Sequence, residues 1–367
     1  MIDIKRIRIL ELNELVSSPS YAEWEVVPIS RHRAKSYINN PRSISSDVVM
    51  YLAYMGNKLV GYRTILPDEI FSNNERVRVG WLSGNWVHPQ HRREGVSTEL
   101  FNAAYSDWEG MLLYTNYAPE SKAVYDKTSR FSYVNSCLGR RFYLRSCLRI
   151  LLPPKGHFYK LFLPVWYLAD FLFSIFNPLP FITKHLRLGK DVTFEYLSKP
   201  DDELLSAFHE FTSRTLTKRS KEELLWISEY PWLVSSPLGD RIGTKYFFSS
   251  APKRFDQFFV KVYLNGRFAG FLIGNLNNRM FSVPYVYCSE DDSLTFSKII
   301  LKHAGKLNAA FFTVFNKNIS NKLKGVFPFG LLSLSQKRNF YVTTNLHHHI
   351  QKEEKKFIEG DGDSVFV

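Results

Sequence analysis

The chain has 367 residues, which corresponds to about two domains, and its 48 Lys and Arg against 35 Asp and Glu give a formal net charge of +13. The 45% hydrophobic and 23% charged residues are ordinary globular values, so they exclude disordered, collagen-like and low-complexity classes for the whole chain. The positive charge favours anionic partners, which include phosphates, nucleic acid and acidic membrane surfaces.

Cysteine usage, the first residues of the chain and its motifs bear on its cellular location and on the kinds of site that it contains. Cys137, Cys147 and Cys288 are too few and too scattered for a disulfide framework, and none has the spacing of a metal site. The N-terminal residues contain no long apolar segment, so we expect a cytoplasmic location without a signal peptide. No nucleic-acid-binding motif stands out, and the basic residues are spread out. We therefore expect no metal and no nucleic-acid partner.

The first half of the sequence predicts alternating strands and helices. Two β-rich runs around Gly56 and Asn57 predict a hairpin, and apolar residues at helical spacing predict two helices further on. In chain order, the predicted elements are strands at 48–54, 59–65 and 77–87, a helix at 97–108, a strand at 111–114, a helix at 119–128 and strand-like alternation over 131–150.

Residues 161–182 form a hydrophobic segment with one charge, Asp170, and basic residues on both flanks. The length admits a membrane-spanning helix, but three prolines and the central carboxylate disfavour one, since inserting an Asp costs about 2.5–3.5 kcal/mol. Three interpretations stay open: an inter-domain helix packed on protein, an interfacial element on a membrane, and a true span. The aromatic residues and basic flanks are typical of membrane interfaces.

The second half repeats the first in outline. A turn at Asn265 and Gly266 lies between two apolar runs, and Gly270 follows it as Gly61 follows the turn at Gly56. The predicted elements are a strand at 194–196, helices at 201–214 and 221–229, a hairpin over 258–273, a strand at 280–288, a helix at 293–307 and a strand at 310–315. We therefore predict a duplication with one domain at 1–150, a hydrophobic aromatic linker or interfacial helix at 151–190 and a second domain at 191–367.

One stretch of the sequence has the features of an anion-binding site. Gly84–Leu100 reads as a strand end, a basic turn with one glycine and the start of a helix. Backbone N–H groups at a helix N-terminus, together with the helix dipole, form an anion site that suits a phosphate or pyrophosphate. Gly95 lets the backbone approach such a ligand closely, and Arg92 and Arg93 add positive charge.

This stretch resembles the GCN5-related N-acetyltransferase (GNAT) family. The family signature, Arg/Gln-x-x-Gly-x-Gly/Ala after a Val-x-Pro strand end, matches Val87-His88-Pro89 and Arg92–Ser97, with serine in place of the last small residue. The resemblance implies an α/β (α+β) fold with two GNAT-like domains, each with a mixed central sheet flanked by helices. It also implies that acetyl-CoA is the co-substrate. The residues that the resemblance implies in cofactor binding are Trp86, Val87, Arg92, Arg93, Glu94, Gly95, Val96, Ser97 and Thr98.

The resemblance also implies a catalytic residue. In the family, a tyrosine on the helix after the next strand protonates the leaving thiolate, and Tyr125 lies in a run, Ser121–Lys127, that is similar to the family's Ala-x-x-x-Tyr-x-Lys. A phenol is a suitable general acid for this step. The glycine that the family places before Phe131 is Arg130 here, and the family's asparagine falls on Ala118. No general base stands out; His88 and carboxylates such as Glu23 and Glu25 are candidates.

The second half lacks the signature. Glu290, Asp291 and Asp292 stand between its strand and its helix, where the first half has arginines. Carboxylates suit a helix N-terminus as caps, but they repel a pyrophosphate. We therefore expect a degenerate GNAT-like domain that binds no coenzyme A.

The leading hypothesis is an acyl-CoA-dependent N-acyltransferase, most simply an acetyltransferase, that acts on a primary amine. The acceptor is expected among amino sugars and amino acids, with cell-envelope or polysaccharide synthesis as the setting by analogy. Peripheral contact with the inner membrane fits the hydrophobic segment. Two alternatives stay open: an aminoacyl-tRNA-dependent peptide transferase of similar tandem fold, and a non-catalytic membrane-associated scaffold.

Overall fold

A computed structural model describes residues 1–72, 75–115, 119–236, 245–248, 251–326, 332–350 and 354–366. The chain forms two compact units, each assembled from segments that are distant in sequence. Unit 1 comprises Met1–Cys137, Lys199–Phe255 and Arg338–Val367, and unit 2 comprises Leu138–Ser198 and Asp256–Lys337. These units differ from the predicted division at residues 150 and 190, and the predicted linker lies inside unit 2.

The described residues form twelve strands and fourteen α-helices. The strands are β1 Asp3–Arg8, β2 Val48–Met55, β3 Lys58–Ser72, β4 Glu75–Val87, β5 Leu112–Thr115, β6 Phe131–Tyr143, β7 Val192–Leu197, β8 Phe255–Leu264, β9 Arg267–Asn277, β10 Met280–Cys288, β11 Phe311–Val314 and β12 Ser333–Thr343. The helices are α1 Ile9–Ser17, α2 Pro19–Glu23, α3 Arg31–Ile38, α4 Val96–Asp107, α5 Pro119–Thr128, α6 Leu148–Leu151, α7 His157–Leu161, α8 Leu163–Ile175, α9 Leu179–Lys184, α10 Asp202–Thr212, α11 Lys221–Glu229, α12 Ser293–Lys306, α13 Lys317–Val326 and α14 Thr344–Ile350.

Unit 1 contains a mixed sheet in the order β1-β2-β3-β4-β5-β12. The β4–β5 pair is parallel and its connection is α4, whereas the other pairs are antiparallel. The C-terminal part of β12 pairs with β5, so a strand from the end of the chain completes this sheet. The core between α4 and the sheet includes Val60, Ile65, Leu100 and Phe101.

Unit 2 repeats this arrangement in the order β6-β11-β10-β9-β8-β7. Its β10–β11 pair is parallel, its connection is α12, and the hairpin β8–β9 precedes it. The core packs Phe296 and Ile300 of α12 against strand residues such as Leu272 and Phe312. Each unit therefore has a mixed sheet flanked by helices, as the predicted fold class requires.

Two equivalent glycines support the internal repeat. A Cβ on Gly61 would lie 2.7 Å from Val96 Cγ1 of α4 and 3.1 Å from the carbonyl oxygen of Trp86. A Cβ on Gly270 would lie 2.0 Å from the carbonyl oxygen of Tyr287 and 3.0 Å from the ring of Phe296 in α12. In both units, a glycine after the hairpin turn lets a helix pack directly on the strand.

The hydrophobic segment at 161–182 differs from the single helix that its sequence suggests. It forms three short helices, α7, α8 and α9, because Pro164 and Pro178 lie at helix N-termini and interrupt a longer helix. No described helix is long and apolar enough to cross a membrane. The strand-like alternation predicted up to residue 150 is also wrong beyond Tyr143, since α6 occupies its end.

The three helices leave a large apolar surface exposed, which we call the aromatic surface. Asp170 of α8 is buried beneath this surface, where its carboxylate accepts hydrogen bonds from Ser146 Oγ and from the backbone N–H groups of Leu148 and Arg149 at the start of α6. The exposed residues of the aromatic surface are Phe158, Leu161, Phe162, Leu163, Val165, Tyr167, Leu168, Phe171, Leu172, Phe173, Ile175, Phe176, Phe181 and Ile182.

Candidate functional site

The strands β4 and β5 diverge at the centre of the unit 1 sheet. Their parallel pairing covers only Gly80 with Leu112 and Trp81 with Leu113. Beyond this point β4 continues to Val87, while Tyr114 and Thr115 of β5 pair with β12 on their other side. A gap therefore opens beside the last part of β4, and the backbone of Trp86 and Val87 borders it. We call it the β4–β5 gap.

A bulge shapes β4 at the same place. Arg63 of β3 pairs with Asn85, whereas Ile65 pairs with Leu82, so β4 holds one extra residue there. The amide of Gly84 in the bulge donates a hydrogen bond to Thr64 Oγ1 at 2.8 Å. Bulges of this kind re-aim backbone groups and are common beside active sites.

The turn from β4 to α4 presents backbone N–H groups to open space. Gly95 has a φ of +86°, and a Cβ at this position would meet no atom within 4 Å. Arg93 also has a positive φ, of 70°. The first N–H groups of a helix have no partner inside it, and here no side chain caps them. The open turn fits a ligand that carries negative charge.

The predicted cofactor-binding residues gather around this turn. The side chains of Arg92, Arg93 and Glu94 are exposed, and Glu94 contacts His91 at 2.9 Å. Val96 is buried in the core and anchors the helix start. Ser97 Oγ accepts a hydrogen bond from Asn85 Nδ2 at 3.2 Å.

Two of the predicted cofactor-binding residues, Thr98 and Trp86, differ from the others in which of their groups are open to a ligand. The amide of Thr98 donates to the carbonyl oxygen of Gly95 at 2.9 Å, so only its exposed hydroxyl is open to a ligand. The side chain of Trp86 is buried and stacks on Tyr62, with ring centroids 5.5 Å apart. Its backbone, rather than its indole, borders the β4–β5 gap.

Tyr125 lies beside β5 on α5. Its ring contacts Tyr114 and Phe131, with centroid distances of 4.4 Å and 5.1 Å. The phenol oxygen accepts a hydrogen bond from Arg63 Nη1 at 2.9 Å. The structure thus places the predicted general acid against a buried cation. Ala118, on which the family's asparagine falls, lies outside the described residues.

A cavity of about 230 Å³ opens at the end of the hairpin β2–β3. Trp86 and His88 line it from the end of β4, and Trp24, Glu25 and Tyr54 line it from other elements of unit 1. The His88 ring meets Trp86 edge-on at 5.9 Å. Aromatic faces beside a carboxylate suit an organic ligand that carries an amine.

Sequence reasoning missed two groups at the site. Arg63 lies in a predicted strand, and the predictions assign no role to its side chain. Asp363 lies in a segment of turns near the C-terminus, yet its Oδ2 accepts a hydrogen bond at 2.8 Å from Ser83 Oγ in the β4 bulge. A charged residue inside an apolar strand, such as Arg63, is the signal that could have found the first group.

The corresponding turn of unit 2 is acidic, as expected. Ser289 Oγ donates to Asp292 Oδ2, and the amide of Asp292 donates back to Ser289 Oγ. Asp292 is the N-cap residue of α12, but its carboxylate caps no helix N–H, which corrects the expected capping role. Glu290 and Asp291 are exposed beside it.

Among the described residues, no group of three His, Cys, Asp or Glu is placed to hold a metal ion. Residues 29–130 match the family model of the acetyltransferase (GNAT) domain. None of the curated proteins compared with the chain matches its sequence.

Solved structures resemble the fold across most of the chain. A GCN5-related N-acetyltransferase from Anabaena variabilis has 10% identity and a TM-score of 0.50, covering 93% of this chain and 72% of its own. N-myristoyltransferase of Saccharomyces cerevisiae with bound myristoyl-CoA has 13% identity and a TM-score of 0.51, covering 93% and 82%. A probable N-acyltransferase from Enterococcus faecalis has 10% identity and a TM-score of 0.51, covering 96% and 75%. At these identities the likeness concerns the fold.

Proposed function

We propose that the chain is an acyl-CoA-dependent N-acyltransferase whose unit 1 transfers an acetyl group from acetyl-CoA to a primary amine, since residues 29–130 match the family model of the acetyltransferase (GNAT) domain. The observation that carries the proposal is the open turn at Gly95 beside the β4–β5 gap. An anion site and an adjacent slot between strands match the pyrophosphate and the pantetheine arm of an acyl-CoA.

The open turn supplies the anion contacts in this proposal. The N–H groups of Gly95, Val96 and Ser97 face the pyrophosphate, and Arg92 and Arg93 add charge from the exposed side. The backbone of Trp86 and Val87 holds the pantetheine arm along the gap. Glu94 and the hydroxyl of Thr98 lie at the rim.

Tyr125 is the proposed general acid. The amine nitrogen attacks the thioester carbon, the C–S bond breaks, and the phenol proton passes to the sulfur to give the thiol. Its position beside the gap and its hydrogen bond with Arg63 support this role. The attack is direct, so no covalent enzyme intermediate is needed.

The cavity beside Trp86 is the proposed acceptor site. Trp24, Tyr54 and Trp86 offer aromatic faces for a sugar ring or an apolar side chain, and Glu25 offers a carboxylate for the amine. We therefore propose an amino sugar or an amino acid as the acceptor. Unit 2 is proposed to bind no coenzyme A, because its carboxylates at the α12 N-terminus repel a pyrophosphate.

The aromatic surface of unit 2 is proposed to contact the face of an anionic membrane. Phe173 is 63% exposed and Phe176 is 84% exposed, although such side chains are usually buried. Exposed Lys155, Lys160 and Lys184 flank them and complement anionic lipids. Short helices with exposed aromatic residues and basic flanks are suited to lie in the membrane interface. An acceptor made at the inner membrane, such as a cell-envelope precursor, fits this contact.

Vesicle sedimentation tests the membrane proposal. We expect the full chain to bind vesicles that contain phosphatidylglycerol, and the double substitution Phe173→Ser and Phe176→Ser to reduce binding at least tenfold. The matched control is Leu10→Ser with Leu334→Ser, because both leucines are exposed outside the aromatic surface. Equal binding by both variants, or no binding by the unmodified chain, would contradict the proposal.

Release of free thiol from acetyl-CoA tests the activity. We expect thiol release that depends on an added amine, in a panel of amino sugars and amino acids, and loss of that release in Gly95→Glu. Gly95→Asn is the control, because asparagine tolerates a positive φ without adding a charge. Amine-dependent release that Gly95→Glu leaves unchanged would refute the site. Absence of thiol release together with transfer of an aminoacyl group from an aminoacyl-tRNA to the amine would favour the peptide transferase alternative.

A further inference from the structure

Arg63 is a completely buried cation, and the residues that the structure describes give it no anionic partner. Its exposed fraction is 0%, and no carboxylate lies within 4 Å of it among the residues that the structure describes. The hydrogen bond from Nη1 to Tyr125 is its one polar contact there, while Nε and Nη2 are buried without an acceptor in the described part of the chain. The rings of Phe101 and Tyr125 lie 5.9 Å and 5.6 Å from its guanidinium carbon.

Such a group is costly to the folded state. Burying an unpaired charge removes its hydration, and a carboxylate partner offsets this cost. Arg42, for example, binds the carboxylates of Asp68 and Glu223. Residues that weaken a fold in this way are often found at functional sites, where their cost is offset by activity. Arg63 therefore calls for an anion that the described residues do not supply.

The position of Arg63 in unit 1 places its side chain beside the proposed general acid. Arg63 extends from β3, pairs across the strands with Asn85 of β4, and reaches a tyrosine that packs on β5. The guanidinium therefore lies buried between β3, α4 and α5, against the phenol proposed as the general acid. Among the described residues, the ionisable side chain in contact with it is the phenol of Tyr125, and no described carboxylate lies within 4 Å of it.

We propose that Arg63 is a second functional residue of acyl transfer, which orients the phenol of Tyr125 and stabilises the negative charge that forms when the C–S bond breaks. This inference rests on the proposed function of unit 1. Nη1 donates to the phenol oxygen, so the phenol's own hydrogen is directed elsewhere, towards the sulfur. Nε and Nη2 have no acceptor among the described residues, so the charge of the guanidinium is free to stabilise the negative charge that develops on the phenol oxygen.

The step balances without a further reactant. The amine nitrogen forms the C–N bond, and the electron pair of the C–S bond stays on the sulfur. The phenol proton moves to the sulfur, which leaves coenzyme A as its thiol and Tyr125 as a phenolate beside the guanidinium. The nitrogen loses a proton to water, and the phenolate regains one from water. A preorganised cation in a dry site stabilises such charge strongly.

Replacement of Arg63 separates this role from a structural one. In Arg63→Met the side chain keeps its length and loses the buried charge, so we expect kcat to fall by about 10²–10³ with KM for acetyl-CoA changed less than threefold. Unfolding in denaturant is expected at an equal or higher concentration, because an apolar group replaces an unpaired buried cation. An arginine that served only the fold would give the opposite result on unfolding. Arg63→Lys is expected to recover part of kcat.

The thiol of bound coenzyme A provides a spectroscopic readout. We expect the ultraviolet absorbance of its thiolate to appear at a pH about one unit lower on the unmodified protein than on Arg63→Met, since the cation favours the anion. Equal thiolate titration and equal kcat in the two proteins would overturn the role of Arg63. Absence of coenzyme A binding by the unmodified protein would instead refute the proposed function, so the two failures are distinguishable.

Discussion

The guanidinium of Arg63 and the phenol of Tyr125 form one buried pair in unit 1, with Nη1 and Oη 2.9 Å apart. The two residues come from β3 and α5, and the neighbouring strand β4 is bulged beside Arg63 and pairs with β5 at Gly80 and Trp81. The pair joins a group that can give up a proton to a group that can stabilise the resulting charge. It thus links the unusual strand geometry to the proposed chemistry.

Loss of the phenol hydroxyl is the first prediction. We expect Tyr125→Phe to lower kcat by about 10²-fold, because the sulfur loses its proton donor, with little change in acetyl-CoA affinity. The measurement is steady-state thiol release together with calorimetric binding. Tyr105→Phe is the matched control, since Tyr105 lies on α4 and contacts the same Phe101 ring. Unchanged kcat in Tyr125→Phe would remove this residue from the mechanism.

The close approach of α4 to β3 gives the second prediction. A methyl group in Gly61→Ala would lie 2.7 Å from Val96, so α4 must shift and the open turn at Gly95 moves with it. We expect a loss of about 1–3 kcal/mol in the free energy of unfolding and weaker acetyl-CoA binding.

Gly325→Ala is the control for this substitution. Gly325 lies on α13 with no atom within 4 Å of an added Cβ, so alanine is expected to stabilise that helix slightly. Denaturant unfolding and calorimetry of both variants provide the comparison. Full stability and full binding in Gly61→Ala would show that the contact does not position the turn.

A buried carboxyl group makes stability depend on pH. Burial raises the pKa of Glu359 to about 7 from 4.5, and it raises the pKa of Asp361 to about 6 from 3.8. Between the unfolded and folded pKa values, the folded state holds protons that the unfolded state has lost. The stability from these groups is therefore complete at low pH and is lost as pH rises through about 5 to 7.

The Glu359→Gln variant tests the prediction that the free energy of unfolding falls as pH rises. Glutamine keeps an oxygen for the hydrogen bond from Arg338 Nη1 and cannot ionise. We expect the drop in unfolding free energy between about pH 5 and pH 8 to be smaller in this variant, by on the order of 2 kcal/mol. Glu354→Gln is the control, because Glu354 is exposed. An unchanged drop in Glu359→Gln would mean that this carboxyl does not titrate differently in the two states.

The fourth prediction concerns Glu25, the carboxylate that lines the cavity beside Trp86. We expect Glu25→Gln to raise KM for the acceptor amine about tenfold and to leave kcat and acetyl-CoA affinity nearly unchanged, because Glu25 lines the cavity and not the open turn. Glu23→Gln provides the control, since Glu23 is exposed at the end of α2 and does not line the cavity. Similar KM values for both variants would place the acceptor elsewhere.

Local sequence patterns were enough to predict much of unit 1. The hairpin at Gly56, the strand that ends at Val87, the helix after Gly95 and the helix that carries Tyr125 all lie within a few residues of their predicted bounds. Each has a strong local signal, such as alternation of apolar residues, helical spacing or turn glycines. The repeated order of elements in unit 2 followed from the same signals.

Long-range features were beyond such patterns. Nothing local shows that β12 pairs with β5, and so the boundaries of the units differ from those expected. The contact between Ser83 and Asp363 joins residues 280 positions apart. The burial of Arg63 likewise depends on packing by α4 and α5. The prolines at 164 and 178 did signal breaks in the hydrophobic segment, but they gave no indication of how exposed its helices are.

Calorimetric titration of acetyl-CoA into the full chain, its Gly95→Glu variant and its Gly95→Asn variant tests the central claim most directly. We expect one site per chain, binding retained within a few-fold in Gly95→Asn, and binding lost in Gly95→Glu, because the added carboxylate would occupy the open turn. Absence of binding by the unmodified chain, or equal binding by Gly95→Glu, would contradict the account.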